Sequence, residues 1–99
     1  EFARMKPSAT LINVARGGVV DEDALVSALS GGQIAMAGLD VYREEPLPAT
    51  SPLIGMPNVV LAPHTGGGSQ RSRILDHPAG LANILRFFRG EEPHGVINP

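Results

Sequence analysis

The apolar positions follow two periodicities. Near-continuous apolar runs occur at Ala9-Thr10-Leu11-Ile12-Asn13-Val14, at Ala35-Met36-Ala37-Gly38-Leu39 and at Val59-Val60-Leu61-Ala62. Short runs of this kind read as buried strands. The second is expected to start at about Ile34, and Asn58 to open the third. Between the first two runs, Ala24, Leu25, Ala28 and Leu29 form one helical stripe. Asp21 is placed to cap that helix, and Glu22 and Asp23 put negative charge at the positive end of its dipole. Val20 and Leu25 have the spacing of a hydrophobic staple, and Gly31-Gly32 is a stop signal. After the third run, Ser69 is expected to cap a final helix reaching about Arg89-Gly90, with Ile74, Leu81, Ile84, Leu85 and Phe88 as its main apolar side chains. Pro78 lacks the N–H that a helix interior needs, which predicts a kink or break near Ile74 to His77. Glu1 to Pro7 reads as the tail of a helix. Residues 41–56 read as an ordered loop with one helical turn at Ser51 to Ile54, and residues 91–99 as an extended tail.

Strand, helix, strand, loop, strand, helix is an α/β order and predicts a parallel sheet. Such sheets are normally covered on both faces, and this chain has too few helices to do that. The sheet is therefore expected to continue into something outside these 99 residues. The opening at Glu1 rather than methionine agrees with that expectation.

Composition narrows the classes. The length fits one small domain, and 42% hydrophobic residues allow a core. With no cysteine there is no disulfide framework and no thiolate metal site. A formal net charge of −2 gives no footprint for nucleic acid, and no run approaches membrane-spanning length. No export signal is visible, so a cytoplasmic protein is expected.

Candidate chemistry gathers where the strands end. Arg16 follows the first run on an Arg-Gly-Gly turn that looks loose enough for a ligand to approach. Asp40 and Glu45 follow the second, and His64 follows the third. In open α/β sheets ligands bind outside the carboxyl ends of the strands. Arg16 offers a two-pronged fork for a carboxylate, which suits an organic acid. The plainer alternative is a solvated arginine. His64 could serve as general acid and base, or be a hydrogen-bonded histidine at a strand end. Glu45 could orient that histidine, or be an ordinary loop carboxylate like Glu44. Asp40 could hold a polar ligand or cap a turn. Gly66-Gly67-Gly68 ahead of a helix could hold an anion, although a glycine run alone is weak evidence. His77 and His94 lack partners at metal-ligand spacing and read as structural or surface residues, so no metal site is expected.

At these residues the chain resembles the C-terminal part of a D-isomer-specific 2-hydroxyacid dehydrogenase. The matching text is Met5-Lys6-Pro7, Leu11-Ile12-Asn13, Ala15-Arg16-Gly17-Gly18-Val19-Val20-Asp21, Gly38-Leu39-Asp40-Val41 leading to Glu45-Pro46, Pro57-Asn58-Val59-Val60, Pro63-His64-Thr65-Gly66-Gly67 and Val96-Ile97-Asn98-Pro99. It covers nearly the whole chain in order. The resemblance implies the C-terminal half of a Rossmann-type parallel sheet, within a larger two-domain protein. It implies that Arg16 grips the carboxylate and 2-oxo group of a substrate, that Glu45, five positions after Asp40, is the catalytic glutamate, and that His64 is the acid/base. Asp40 would meet the nicotinamide carboxamide. Ala15, Arg16, His64, Gly66 and Gly67 would also lie at the cofactor. NAD or NADP is implied without a choice between them, because the glycine fingerprint and the ribose-binding acid are not in these residues. Pro78, Gly68 and Gly80 depart from the family's final helix.

Two functions compete. The first is an NAD(P)-dependent reductase or dehydrogenase of small 2-oxo and 2-hydroxy acids, with glyoxylate or hydroxypyruvate as the nearest fit. The second is a non-catalytic nucleotide-sensing protein similar to the C-terminal-binding-protein corepressors. The family resemblance further implies a homodimer. By itself, the 99-residue piece is expected to be inactive.

Overall fold

The computed structural model describes residues 1–97, without the side chains of residues 73, 75 and 76. The chain divides into two units, Glu1–Gly66 and Gly67–Pro99. Asn98 and Pro99 of the closing motif lie outside the described residues.

The first unit is a parallel sheet of three strands, β1 (Thr10–Asn13), β2 (Met36–Leu39) and β3 (Val59–Leu61), in the order β1-β2-β3. The register places Leu11 beside Ala37 and Ala37 beside Val59, then Ile12 beside Gly38 and Gly38 beside Val60. Because strand side chains alternate between faces, these rows separate. Ala37 and Leu39 belong to the core cluster, and Leu11, Val59 and Leu61 pack against it. Ile12, Val14 and Val60 are exposed.

Helix α1 (Glu22–Ser30) forms where the stripe and its caps placed it. The Asp21 carboxylate accepts from the N–H groups of Asp23 and Ala24, both at 3.0 Å. These are donors the first helical turn leaves without internal partners. Leu25, Ala28 and Leu29 are buried, and Val20 packs against the same cluster, as the staple requires. At the other end Gly32 takes φ +66°, a left-handed turn that glycine adopts without a Cβ penalty. Leu25, Ile34, Leu53 and Val41 are the largest fully buried side chains. Burial of such an aliphatic side chain contributes about 1.5–3 kcal/mol.

Two local expectations need correction in this unit. Glu1 to Pro7 holds only a 3-10 turn at Phe2–Arg4 rather than the end of an α-helix. The Arg16-Gly17-Gly18 turn is also not loose. Gly17–Val19 is a 3-10 turn in which Gly17 is buried. A Cβ on Gly17 would lie 1.8 Å from the Tyr42 carbonyl oxygen. This glycine exists so that the loops leaving β1 and β2 can pack backbone to backbone.

The second unit is helix α2 (Gln70–Phe88) and the segment after it. The Ser69 hydroxyl caps α2 by accepting from the Ser72 N–H at 3.0 Å. The expected break near Ile74 to His77 does not occur: α2 runs through Pro78 as one element. The described part of the tail, residues 91–97, is not extended either. It folds back on α2, where Asn83 donates to the His94 carbonyl and accepts from the His94 N–H, both at 2.9 Å. Arg86 adds a 2.8 Å bond to the Glu92 carbonyl and an ion pair with Glu91. No described helix is long and apolar enough to cross a membrane.

Candidate active site at the strand ends

The first unit brings Asp40, Glu45, His64 and Gly66 to one edge of the sheet. The reason is topological: parallel strands all deliver their carboxyl ends to the same side. Main-chain bonds continue past the strands, from Asp40 N–H to the Asn13 carbonyl at 3.0 Å and from Ala62 N–H to the Leu39 carbonyl at 2.9 Å. The residues that follow therefore start from fixed positions.

Asn13, 5% exposed, shapes the turn carrying Ala15 and Arg16. Its side-chain oxygen accepts from the Ala15 N–H at 3.2 Å, and its side-chain nitrogen donates to the Arg16 carbonyl at 3.1 Å. The Arg16 guanidinium is exposed and folds onto the Ala15 carbonyl at 2.6 Å. Its charge is near enough to Glu45 to help lower that carboxyl's pKa, although the two share no contact.

Asp40 is 7% exposed and divides its carboxylate between two main-chain donors. Oδ1 accepts from the Thr65 N–H at 2.8 Å, and Oδ2 from the Gly66 N–H at 2.7 Å. These bonds favour the charged form and hold its pKa below the ordinary 3.8. They also explain the backbone of His64. That residue sits at φ +54°, a region uncommon outside glycine that costs of order 1–3 kcal/mol. Fastening the next two N–H groups fixes the reversal that puts it there. Gly66 is part of the same fit, because a Cβ there would lie 2.8 Å from Asp40 Oδ2.

His64 Nδ1 lies 2.7 Å from Glu45 Oε2. A carboxylate only accepts, so Nδ1 carries the proton in this pair, and Nε2 is left for other chemistry. The other Glu45 oxygen accepts from the Tyr42 N–H at 3.1 Å. The Glu45 pKa is lowered, first by the imidazole and then by that N–H. Both side chains border an open cleft of about 510 Å³, whose other walls include Tyr42, Leu47, Leu61 and Pro63.

Asp40, Glu45, His64 and Gly66 are thus joined by contacts, and Ala15 and Arg16 stand on the neighbouring turn. Gly67 opens the second unit and has no described place relative to them. Two participants escaped the sequence reading. Asn13 carried a signal in its type, since asparagine at a strand end commonly closes an Asx turn. Tyr42 carried none, because nothing local foretells that its hydroxyl reaches the carbonyls of Leu39 at 3.1 Å and Ala62 at 2.7 Å.

The donor set suits the nicotinamide end of a dinucleotide. An ionised carboxylate offers about four lone-pair sites. The Asp40 oxygens use one each on Thr65 and Gly66, which leaves acceptor capacity for a carboxamide.

At its carboxyl edge the parallel sheet thus carries an arginine turn, a backbone-held aspartate and a carboxylate–imidazole pair. Residues 1–66 match the family described as D-isomer specific 2-hydroxyacid dehydrogenase, NAD binding domain, and the chain belongs to that family. It is 48% identical over all 99 residues to glyoxylate/hydroxypyruvate reductase B of Pectobacterium carotovorum, of which it spans 31%. Among solved structures, a D-isomer specific 2-hydroxyacid dehydrogenase from Xanthobacter autotrophicus in complex with NADPH aligns with TM-score 0.82 and 44% identity, over 99% of this chain and 40% of that one. An NADPH-dependent glyoxylate/hydroxypyruvate reductase from Sinorhizobium meliloti, in complex with NADP and malonate, aligns with TM-score 0.73 and 41% identity, over 88% of this chain and 27% of that one. The chain thus spans about a third of the length of the curated relatives it matches.

Proposed function

We propose that the whole protein is an NAD(P)-dependent reductase of small 2-oxo acids, glyoxylate and hydroxypyruvate first among them. This chain would be the C-terminal part of its cofactor domain, with the final helix and tail leading back toward a substrate domain. The observation that carries the reading is the 2.7 Å contact of His64 Nδ1 with Glu45 beside an open cleft. It leaves a positioned imidazole with its second nitrogen for a reacting oxygen. The names of the similar reductases support the choice of substrate.

The reduced nicotinamide, when bound, supplies the hydride. The chain's own residues do the rest. Ala15, Asp40 and Gly66 would hold the nicotinamide end. Arg16 swings from the Ala15 carbonyl to take the substrate carboxylate through its fork. As negative charge grows on the 2-oxo oxygen, Arg16 offsets it and His64 Nε2–H passes its proton there. Glu45 holds the ring through Nδ1 while this happens. In the oxidative direction the neutral imidazole accepts the proton of the 2-hydroxyl. The reading extends to a cytoplasmic homodimer without nucleic-acid or membrane partners, which light scattering and fractionation of the full-length protein would check.

The test is oxidation of NADPH and of NADH by the full-length protein with glyoxylate, hydroxypyruvate and pyruvate. Arg16→Ala is expected to lower kcat/KM for the oxo acid about a hundredfold. Cofactor binding without turnover of any 2-oxo acid would sink the reductase reading and favour a non-catalytic nucleotide sensor.

A further inference from the structure

We propose that Tyr42 is a positioning residue for the acid/base pair, acting on both members at once. The inference rests on the reductase reading for its kinetic consequence and on geometry alone for its structural one. The Tyr42 main-chain N–H donates to Glu45 Oε1 at 3.1 Å and so fixes one oxygen while the other faces the imidazole. Its side chain reaches the opposite way. The hydroxyl lies 2.7 Å from the Ala62 carbonyl and 3.1 Å from the Leu39 carbonyl. The hydroxyl proton is thus shared between the ends of β2 and β3, two residues before His64. One residue therefore sets the distance between the segment that carries Glu45 and the segment that delivers His64.

The surroundings fit this role. The ring is 7% exposed and belongs to the core cluster with Leu25, Leu39 and Leu53, so it cannot swing away to release the carbonyls. A phenolate would face two carbonyl oxygens. Burial, with the nearby carboxylates of Asp40, Glu45 and Glu22, pushes the phenol upward and keeps it a donor. The Tyr42 carbonyl is also the atom against which Gly17 packs, which ties the Arg16 turn to the same residue. A small misplacement of acid/base groups costs much in rate, because near-attack geometry is demanding.

Tyr42→Phe keeps the ring and removes the hydroxyl. The full-length protein, labelled with 15N at histidine, would be examined by imidazole NMR and by steady-state kinetics. In the wild type the Nδ1 proton of His64 should give a downfield line that Glu45→Gln abolishes. Tyr42→Phe should move that line upfield or broaden it by exchange. It should also lower kcat about tenfold with the cofactor KM unchanged. Leu53→Val, which loosens the same core without touching either carbonyl, should lower Tm and leave the line and kcat in place. An unmoved line in Tyr42→Phe, or equal effects in Leu53→Val, would overturn the positioning role. A line that responds as expected in a protein that turns over no 2-oxo acid would leave the positioning role standing and overturn the reductase reading instead.

Discussion

The Asp40 corner and the Glu45–His64 pair each join the segment after β2 to the segment after β3 through a carboxylate, yet they are built differently. Asp40 is buried and spends both oxygens on main-chain N–H groups, which do not titrate. Glu45 and His64 have side chains 37% and 46% exposed and face each other across a bond in which the partner itself can gain or lose a proton. A carboxylate tied to amides holds a shape. One tied to an imidazole can also take part in proton movement. The same chemical group is thus tied to the main chain at one position and to a titratable side chain at the other.

If that contrast is right, substitutions in the fixed corner should cost stability, and those in the pair should cost rate. The largest stability effect is expected at Gly17, where a Cβ would lie 1.8 Å from the Tyr42 carbonyl. Gly17→Ala should destabilise the protein by about 3 kcal/mol, read as a shift in urea midpoint at constant m. A loss under about 1 kcal/mol would mean that the two loops part easily. Glu45→Gln sharpens the other side. It keeps an oxygen for the Tyr42 N–H and removes the charge opposite His64, so kcat should fall roughly tenfold with little change in Tm. A large drop in Tm with unchanged kcat would make the pair a structural ion pair and erase the contrast.

The smallest effect is a pH dependence. Asp40 and Glu45 both have native pKa values below their ordinary ones of 3.8 and 4.5. Near those values the folded state binds fewer protons than the unfolded chain, so stability rises with pH there. Their contribution is complete above about pH 5 and is lost as pH falls through the lower native values. Asp40→Asn removes one of the two groups and should flatten the acid limb of Tm against pH, besides lowering Tm at neutral pH. An acid limb as steep as the wild type's would show that the Asp40 bonds do not couple to folding.

Much of this arrangement was legible in the sequence, because local signals and the global fold agree over residues 9–14 and 20–40. Asp21, Val20, Leu25 and Gly32 each do at α1 what their types and spacing foretold. The strand-end positions of Arg16, Asp40, Glu45 and His64 followed from where the apolar runs stop. What escaped was non-local. The burial of Gly17 is set by Tyr42, far along the chain, so a glycine in what reads as a loose turn is in fact a packing site. The bridging hydroxyl of Tyr42 spans two strands. The return of the tail depends on Asn83, whose amide matches both main-chain groups of His94. Pro78 did not end the helix, and α2 continues through it. The bare face with Ile12, Val14 and Val60 is the exposed side that the shortage of helices implied.

The central claim is that His64, held by Glu45, moves the proton that accompanies reduction of a 2-oxo acid. The direct measurement is kcat for glyoxylate reduction by the full-length protein and its His64→Ala variant, with cofactor affinity measured alongside by nicotinamide fluorescence. A fall in kcat of about 10²- to 10⁴-fold in a variant that still binds the cofactor is the expected result. Turnover at the wild-type rate in His64→Ala would contradict the account.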